Sequence, residues 1–184
     1  MIFLNKNLCV IGGDLRIVKL IEMLVKDGYT VYSYALEEAD NLNQYENVKQ
    51  CDNMIDALSA SDIVIGPIPL SSNKIDINTP FSKNNISLDE LVSKLDGKTF
   101  IAGSIGEELL NKVEDKNIKL IDLMNREELA VLNTISTAEG AIQIAMQETL
   151  ATLHGANVLV MGFGRIGKVL SKMLCGIGAR VSCE

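Results

Sequence analysis

Short apolar runs alternate with helical stripes of apolar residues along the first 125 residues of the chain. Runs such as residues 8–11 and 62–65 suit one buried strand each, whereas residues 15–25 place apolar side chains at helical spacing. Strands that alternate with helices in this way favour βαβ units and a parallel sheet. The pattern predicts an α/β fold, with residues 1–125 forming a five-stranded, doubly wound sheet and residues 37–52 irregular.

A long helical stretch follows this region. Residues 126–132 predict a first segment, after which Ser136-Thr-Ala-Glu139 fits a capping box, in which Ser136 and Glu139 each satisfy a backbone N–H. The helix is expected to end near His154, where the alternation of strand and helix restarts. The predicted organisation is a substrate domain over 1–125, a linking helical segment over 126–155 and a partial nucleotide-binding domain over 156–184.

The clearest motif is Gly162-Phe-Gly-Arg-Ile-Gly167, which lies between a predicted strand and a predicted helix. In a dinucleotide-binding G-x-G-x-x-G loop, Gly162 would permit the tight turn, Gly164 the approach of a pyrophosphate, and Gly167 close packing. The anion would then lie at a helix N-terminus. Two other interpretations stay open: a loop for S-adenosylmethionine and a purely structural turn. The predicted cofactor-binding residues are Gly162, Gly164, Arg165, Ile166 and Gly167, with a solvated helix-start arginine as the alternative for Arg165.

Composition excludes several classes of protein. A net charge of −7 and a pI near 4.8 argue against nucleic-acid binding, although the last 34 residues carry four basic side chains against one acidic. No apolar run approaches the roughly 20 residues of a membrane helix. The single histidine and the absence of C-x-x-C pairs argue against a metal site and favour free thiols in a cytoplasmic protein. The cysteines are Cys9, Cys51, Cys175 and Cys183.

Three segments together resemble the family of bacterial dipicolinate synthase A subunits. They are V-I-G-G-D-L-R at 10–16, N-T-I-S-T-A-E-G at 133–140 and H-G-A-N-V-L-V-M-G-F-G-R-I-G at 154–167. The resemblance spans essentially the whole chain and implies a substrate domain, a linking helix and the start of a Rossmann domain for NAD(P). The same order of parts occurs in 2-hydroxyacid dehydrogenases.

This resemblance implies an oxidoreductase that makes dipicolinate during sporulation, from a dihydro- or hydroxytetrahydro-dipicolinate. It also implies a partner, the flavoprotein-like B subunit of dipicolinate synthase, and a location in the mother-cell cytoplasm. NADP is favoured by the resemblance alone. Glu184, which follows the second predicted strand of the nucleotide-binding part, is a candidate for the acid that holds the NAD ribose, so the choice of cofactor stays open. Homo-oligomerisation also stays open.

Chains of this family continue for a full nucleotide-binding domain, so the resemblance implies a chain interrupted within that domain. One βα unit and a second strand cannot enclose a nicotinamide, and we expect these 184 residues to bind NAD(P) weakly or not at all. Two alternatives are another two-domain NAD(P) oxidoreductase of the 2-hydroxyacid dehydrogenase type and a truncated, non-catalytic interaction module.

The dicarboxylate substrate that the resemblance implies favours arginine, because a guanidinium binds a carboxylate through two hydrogen bonds. Arg16 and Arg126 each follow a predicted strand, at the edge where open α/β sheets bind ligands. In the alternative interpretation these are helix-surface ion pairs, of Arg16 with Asp14 and of Arg126 with Glu127 or Glu128.

Other candidates lie in the loops and the linking helix. Glu139 is a candidate general base for the proton lost on aromatisation, with the capping box as its alternative. The full set of predicted substrate-binding residues is Asp14, Arg16, Ser104, Arg126, Asn133 and Thr137. For Ser104 the alternative is a helix N-cap, and His154 is expected to face a helix C-terminus rather than act as a base.

Overall fold

A computed structural model of the protein describes residues 7–184. The chain divides into two compact units, with the division between Leu123 and Met124. The predicted boundaries at residues 125 and 155 stay a prediction.

The first unit is a parallel sheet with helices on both faces. Its strands are β1 (Asn7–Ile11), β2 (Thr30–Tyr34), β3 (Val48–Gln50), β4 (Ile63–Ile65), β5 (Thr99–Ala102) and β6 (Lys119–Asp122). Its helices are α1 (Leu15–Lys26), α2 (Met54–Ser59), α3 (Leu88–Ser93) and α4 (Glu107–Val113), with a 3₁₀ turn at Leu42–Gln44. A second 3₁₀ turn, Leu123–Asn125, contains the point of division between the units. The strand order is β3-β2-β1-β4-β5-β6, and each neighbouring pair runs parallel. The predicted doubly wound α/β fold is confirmed.

The sheet has one strand more than the pattern predicts. Strand β3 lies within the polar stretch 37–52, for which the pattern predicts irregular structure, and pairs with β2 through Val31 and Val48. It has only three residues, and Lys49 and Gln50 are exposed. A strand so short and polar produces no alternation of apolar residues, so the sequence pattern does not predict this edge strand.

The core of the first unit lies on both faces of β1. Leu8 and Val10 pack in one cluster with Ile21 of α1, whereas Cys9 on the opposite face packs in a second cluster with Phe100 of β5. Burial raises the pKa of the Cys9 thiol to about 12. Burial on both faces of β1 explains why residues 8–11 form a continuous apolar run.

The second unit contains one long helix and a small α/β element. Helix α5 (Glu127–Glu148) packs against α6 (Arg165–Ile177), and α6 covers the parallel pair β7 (Asn157–Val160) and β8 (Arg180–Cys183). Apolar side chains from these elements, with Leu153 between them, form one small core. The predicted restart of strand and helix is therefore present.

The predicted capping box is wrong. Helix α5 begins at Glu127 and continues through Ser136, whose hydroxyl donates to the Asn133 carbonyl oxygen at 3.2 Å. Glu139 is exposed in the interior of the helix. A serine followed three residues later by a glutamate fits a helix cap. Inside a helix, however, a serine hydroxyl can also donate a hydrogen bond to a carbonyl oxygen of the preceding turn.

Helix α5 also ends earlier than expected, at Glu148, and a loop carries the chain to β7. His154 lies in this loop, and its Nδ1 is 3.0 Å from the carbonyl oxygen of Ile177, the last residue of α6. A carbonyl can only accept, so Nδ1 carries the proton in this contact. His154 therefore faces a helix C-terminus, although of α6 rather than of the helix that precedes it.

Among the helices of residues 7–184, none is both long enough and apolar enough to cross a membrane.

Candidate functional site

The loop between β7 and α6 has a backbone that only glycine suits at two positions. Gly162 has a φ of +101°, in the left-handed region, and its N–H donates to the Glu184 carbonyl oxygen at 2.7 Å. At Gly167, a Cβ would lie 2.0 Å from the carbonyl oxygen of Gly162. The first and third glycines of the motif thus shape a tight turn onto the helix.

The middle glycine leaves the helix N-terminus open. Gly164 is the N-cap of α6, and no side chain caps the helix there. A Cβ on Gly164 would meet no atom within 4 Å. Because the first turn of a helix has N–H groups without intrahelical partners, an anion can approach them directly at this point.

A cleft of about 490 Å³ lies over this loop within the second unit. Helix α5 forms its other wall, to which Asn133 and Thr137 contribute. The Thr137 hydroxyl donates to the Asn133 carbonyl oxygen at 2.8 Å, one turn earlier. The complete lining is Met124, Ala130, Asn133, Thr134, Thr137, Val160, Met161, Gly162, Gly164, Arg165, Ile166, Gly167 and Leu170. Two residues predicted for substrate thus share a cleft with all five predicted for the cofactor.

The cleft contains two features that the sequence pattern does not reveal. Thr134 is buried in its wall, and its hydroxyl donates to the Val131 carbonyl oxygen at 2.6 Å. Arg165 donates through Nη1 to Oε2 of Glu127 at 2.7 Å. A spacing of 38 residues gives no local signal for such a pair.

Glu139 does not belong to this lining. The sequence pattern predicts it at the N-terminus of the linking helix, together with Thr137 and Gly140. Because the helix begins at Glu127, these positions lie in its interior turns instead.

A second cleft, also of about 490 Å³, lies at the carboxyl end of the first unit's sheet. Its lining includes Asp14, which follows β1, and Pro67 and Ile68, which follow β4. Strands β1 and β4 are neighbours in the sheet, and the order in which strands are added reverses between them. In open α/β folds, the crevice at such a reversal is the usual ligand site.

The alternative interpretation of Arg16 as an ion-pair partner agrees with the structure. Its Nη2 lies 2.7 Å from Oδ2 of Asp14 and also donates to the Ile68 carbonyl oxygen. Asp14 caps α1 by accepting from the Arg16 backbone N–H at 2.9 Å. The hydrogen bond from the guanidinium holds the pKa of Asp14 below its usual value. The pair therefore ties the start of α1 to the loop after β4.

Ser104 lies elsewhere, in a separate cleft of about 390 Å³ with Gly106 and Lys74. The alternative interpretation, that Ser104 caps a helix, is wrong, because Gly106 is the N-cap of α4. Instead, its backbone N–H donates to Asp122 Oδ1 at 3.0 Å, while Ile105 donates to Oδ2 at 2.9 Å. Asp122 thus holds this loop, a role that its position at the end of a predicted strand does not reveal.

Arg126 is the N-cap residue of α5, in the second unit. Its Nε lies 3.7 Å from Oε2 of Glu128, one of the two partners considered for it. Both side chains are exposed, so this ion pair is weak and leaves the guanidinium accessible.

No group of three or more His, Cys, Asp or Glu side chains within residues 7–184 is arranged to hold a metal ion.

Comparison with known proteins assigns the family. A family model described as the N-terminal domain of the dipicolinate synthase A subunit matches residues 7–124. The dipicolinate synthase A subunit of Bacillus subtilis (strain 168) is 28% identical over 177 residues, which cover 95% of this chain and 59% of the relative.

Two crystal structures agree with this assignment. The dipicolinate synthase A subunit from Bacillus subtilis matches with a TM-score of 0.77 and 28% identity, over 96% of this chain and 59% of that one. The A subunit from Bacillus halodurans matches with a TM-score of 0.81 and 27% identity, over 97% of this chain and 61% of that one. The chain thus spans about three-fifths of the length of these relatives. Since the family model covers more than half of the chain, the protein belongs to the family of dipicolinate synthase A subunits.

Proposed function

We propose that the chain is part of an NAD(P)-dependent oxidoreductase that forms dipicolinate, and that its second unit binds the pyrophosphate of the cofactor. The observation that carries the cofactor site is the open N-terminus of α6. There, the backbone N–H groups of the first helical turn follow Gly164, whose lack of a side chain leaves the approach from the cleft open. The shape requires glycine at 162 and 167, and with Gly164 these residues have the spacing that dinucleotide loops use.

Oxidation of a dihydropyridine dicarboxylate to the aromatic pyridine removes one hydride and one proton. A bound nicotinamide supplies the hydride acceptor. On the cofactor side, the chain's contribution is orientation: the α6 N-terminus would hold the pyrophosphate, while Asn133 and Thr137 offer amide and hydroxyl groups from the opposite wall. Glu139 is kept as a proposed proton acceptor, supported only by its exposure on the same helix.

For the substrate we propose the cleft at the carboxyl end of the first sheet. Arg16 borders it through its hydrogen bond to Ile68, and Asp14 and Arg16 together give it a charged rim. A carboxylate of the substrate would compete with Asp14 for this guanidinium. Arg126, at the start of α5, and Ser104, in its own cleft, are kept as separate proposals for contacts to a carboxylate and to a polar group.

The remaining expectations are proposals for the whole protein rather than for this chain. They comprise the flavoprotein-like B subunit, a role in sporulation in the mother-cell cytoplasm, and a preference for NADP. What supports them is family membership alone.

Replacing Gly164 with valine should eliminate binding of NAD(P)H without unfolding the chain. The new side chain would extend into open space, so the fold tolerates it, but it would occupy the position through which a pyrophosphate reaches the helix. Fluorescence titration with NADH and NADPH, which we expect to bind the wild-type chain weakly, measures the change, and circular dichroism verifies folding.

The matched control is Gly106→Val. Gly106 is also an N-cap glycine with extended backbone, no side-chain cap and open space around its Cβ position, but it lies in the first unit. It should leave nucleotide affinity unchanged. If Gly164→Val binds both nucleotides as the wild type does, the cofactor site is wrong.

Arg16→Lys should weaken binding of pyridine-2,6-dicarboxylate by about tenfold, because lysine keeps the charge but loses the second hydrogen bond to a carboxylate. Titration calorimetry with the chain measures this directly. Arg180→Lys, in β8, is the control with the same chemical change. Equal affinity of wild type and Arg16→Lys would remove Arg16 from the substrate site.

A further inference from the structure

An ion pair beside the proposed nucleotide cleft joins the first residues of two helices. Glu127 begins α5 and Arg165 begins α6, and Oε2 of Glu127 lies 2.7 Å from Nη1 of Arg165. Arg165 is also one of the residues that line the cleft. The pair therefore lies beside Gly164, where an incoming anion would have to bind.

The N-termini of α5 and α6 both favour a nearby negative charge. A helix N-terminus carries partial positive charge, so a carboxylate near it is stabilised. Glu127 lies at the N-terminus of its own helix and contacts the guanidinium at the N-terminus of the other. The chain thus supplies an anion of its own where the proposed function requires the anion of a ligand.

We propose that Glu127 holds Arg165 in the absence of nucleotide and competes with the pyrophosphate for its guanidinium, an inference that rests on the proposed function of the cleft. The side chains of Arg165 and Glu127 are 57% and 72% exposed. Exposed ion pairs are weak, so a pyrophosphate can displace the carboxylate. Glu127 would therefore lower nucleotide affinity rather than prevent binding.

The opposite role is that Glu127 orients Arg165 for the pyrophosphate. The two roles predict changes of opposite sign when the carboxylate is neutralised. Competition predicts tighter binding, because both the rival partner and a repelling charge disappear. Orientation predicts weaker binding, because Arg165 loses the contact that positions it.

The decisive variant is Glu127→Gln, which removes the charge and keeps the shape. We expect NADH to bind this variant about two- to fivefold more tightly than the wild type at low ionic strength, in line with the modest strength of exposed ion pairs. The gain should shrink at higher salt, which screens exposed charges. Loss of structure alone would not increase affinity, so a gain separates competition from a structural role.

Glu128→Gln is the matched control, since Glu128 is the next residue on the helix and pairs with Arg126 instead. It should change NADH affinity by less than about twofold, because its ion pair is equally exposed but has another partner. In an Arg165→Gln background, Glu127→Gln should give a smaller gain, because only the removal of the repelling charge remains. An undiminished gain in that background would show that Glu127 does not act through Arg165.

The outcomes distinguish failure of the competition from failure of the proposed cofactor site. NADH binding that is unchanged or weaker in Glu127→Gln, with the wild type binding, overturns the competition and leaves the cofactor site intact. If NADH binds none of the variants, nor the wild type, at any concentration tested, both the cofactor site and the competition at it are overturned.

Discussion

Alanine in place of Gly167 is expected to destabilise the second unit by about 3 kcal/mol, the upper range for a side chain forced into filled space. The added Cβ would lie 2.0 Å from the Gly162 carbonyl oxygen. That oxygen belongs to the backbone and cannot rotate away, so the turn and the start of α6 must separate. Since the chain has two units, amide hydrogen exchange of β7 and α6 reports the loss better than a global melting curve.

Gly176→Ala provides the comparison within the same helix. Its Cβ would meet no atom within 4 Å, and alanine has the higher helix propensity, so we expect a gain of up to about 1 kcal/mol. If the two alanine variants exchange amide protons at the same rate in α6, the close contact between Gly162 and Gly167 does not constrain the loop.

Phe100→Ala is expected to lower the free energy of unfolding of the first unit by about 3–5 kcal/mol, the range for a buried phenylalanine. Phe100 lies in β5, has no exposed surface and packs in the larger core cluster. Its removal loses apolar burial and leaves a cavity inside a sheet covered on both faces. Urea unfolding followed by circular dichroism measures the change.

Two controls test whether the cavity is the cause. Leu15→Ala, at a side chain 72% exposed, should change stability by no more than about 0.5 kcal/mol. Gly66→Ala places a Cβ 2.7 Å from Phe100 Cζ, so it should be harmful alone and tolerated in the Phe100→Ala background. Equal costs of Gly66→Ala in both backgrounds would contradict the packing of Phe100 against this glycine.

Much of the fold is predictable because its strands are buried. Strand β1 has core clusters on both of its faces, so residues 8–11 must be apolar whichever face they occupy. That requirement produces a continuous apolar run in the sequence. Strand β3 lies at the edge and is mostly exposed, so the same requirement does not act on it.

The error in α5 has a different cause. Ser136 and Thr137 belong to the residues that favour helix starts, but their hydroxyls also bond to the Asn133 carbonyl oxygen inside a helix. Local sequence cannot separate these two uses of a hydroxyl. The continuity of the helix is decided by its packing against α6.

The shape of the glycine loop is predictable because its backbone is itself the signal. Gly162 has a positive φ and a Cβ on Gly167 would meet a backbone oxygen, so both positions require glycine, whereas the role of Gly164 at the cofactor stays a prediction. Charged side chains give no such signal, because any carboxylate within reach can pair with an arginine. The partner of Arg165 could therefore not be identified before the fold was known, and the roles of Arg16 and Arg126 stay predictions.

The unequal burial of the four cysteines has a consequence for oxidation. A thiol reacts with oxidants mainly as its thiolate, and burial raises the pKa of both Cys9 and Cys51. Cys175 and Cys183 are exposed on the small α/β element of the second unit. Oxidation of thiols in the folded chain should therefore begin at Cys175 and Cys183 of this element, before Cys9 in the sheet of the first unit.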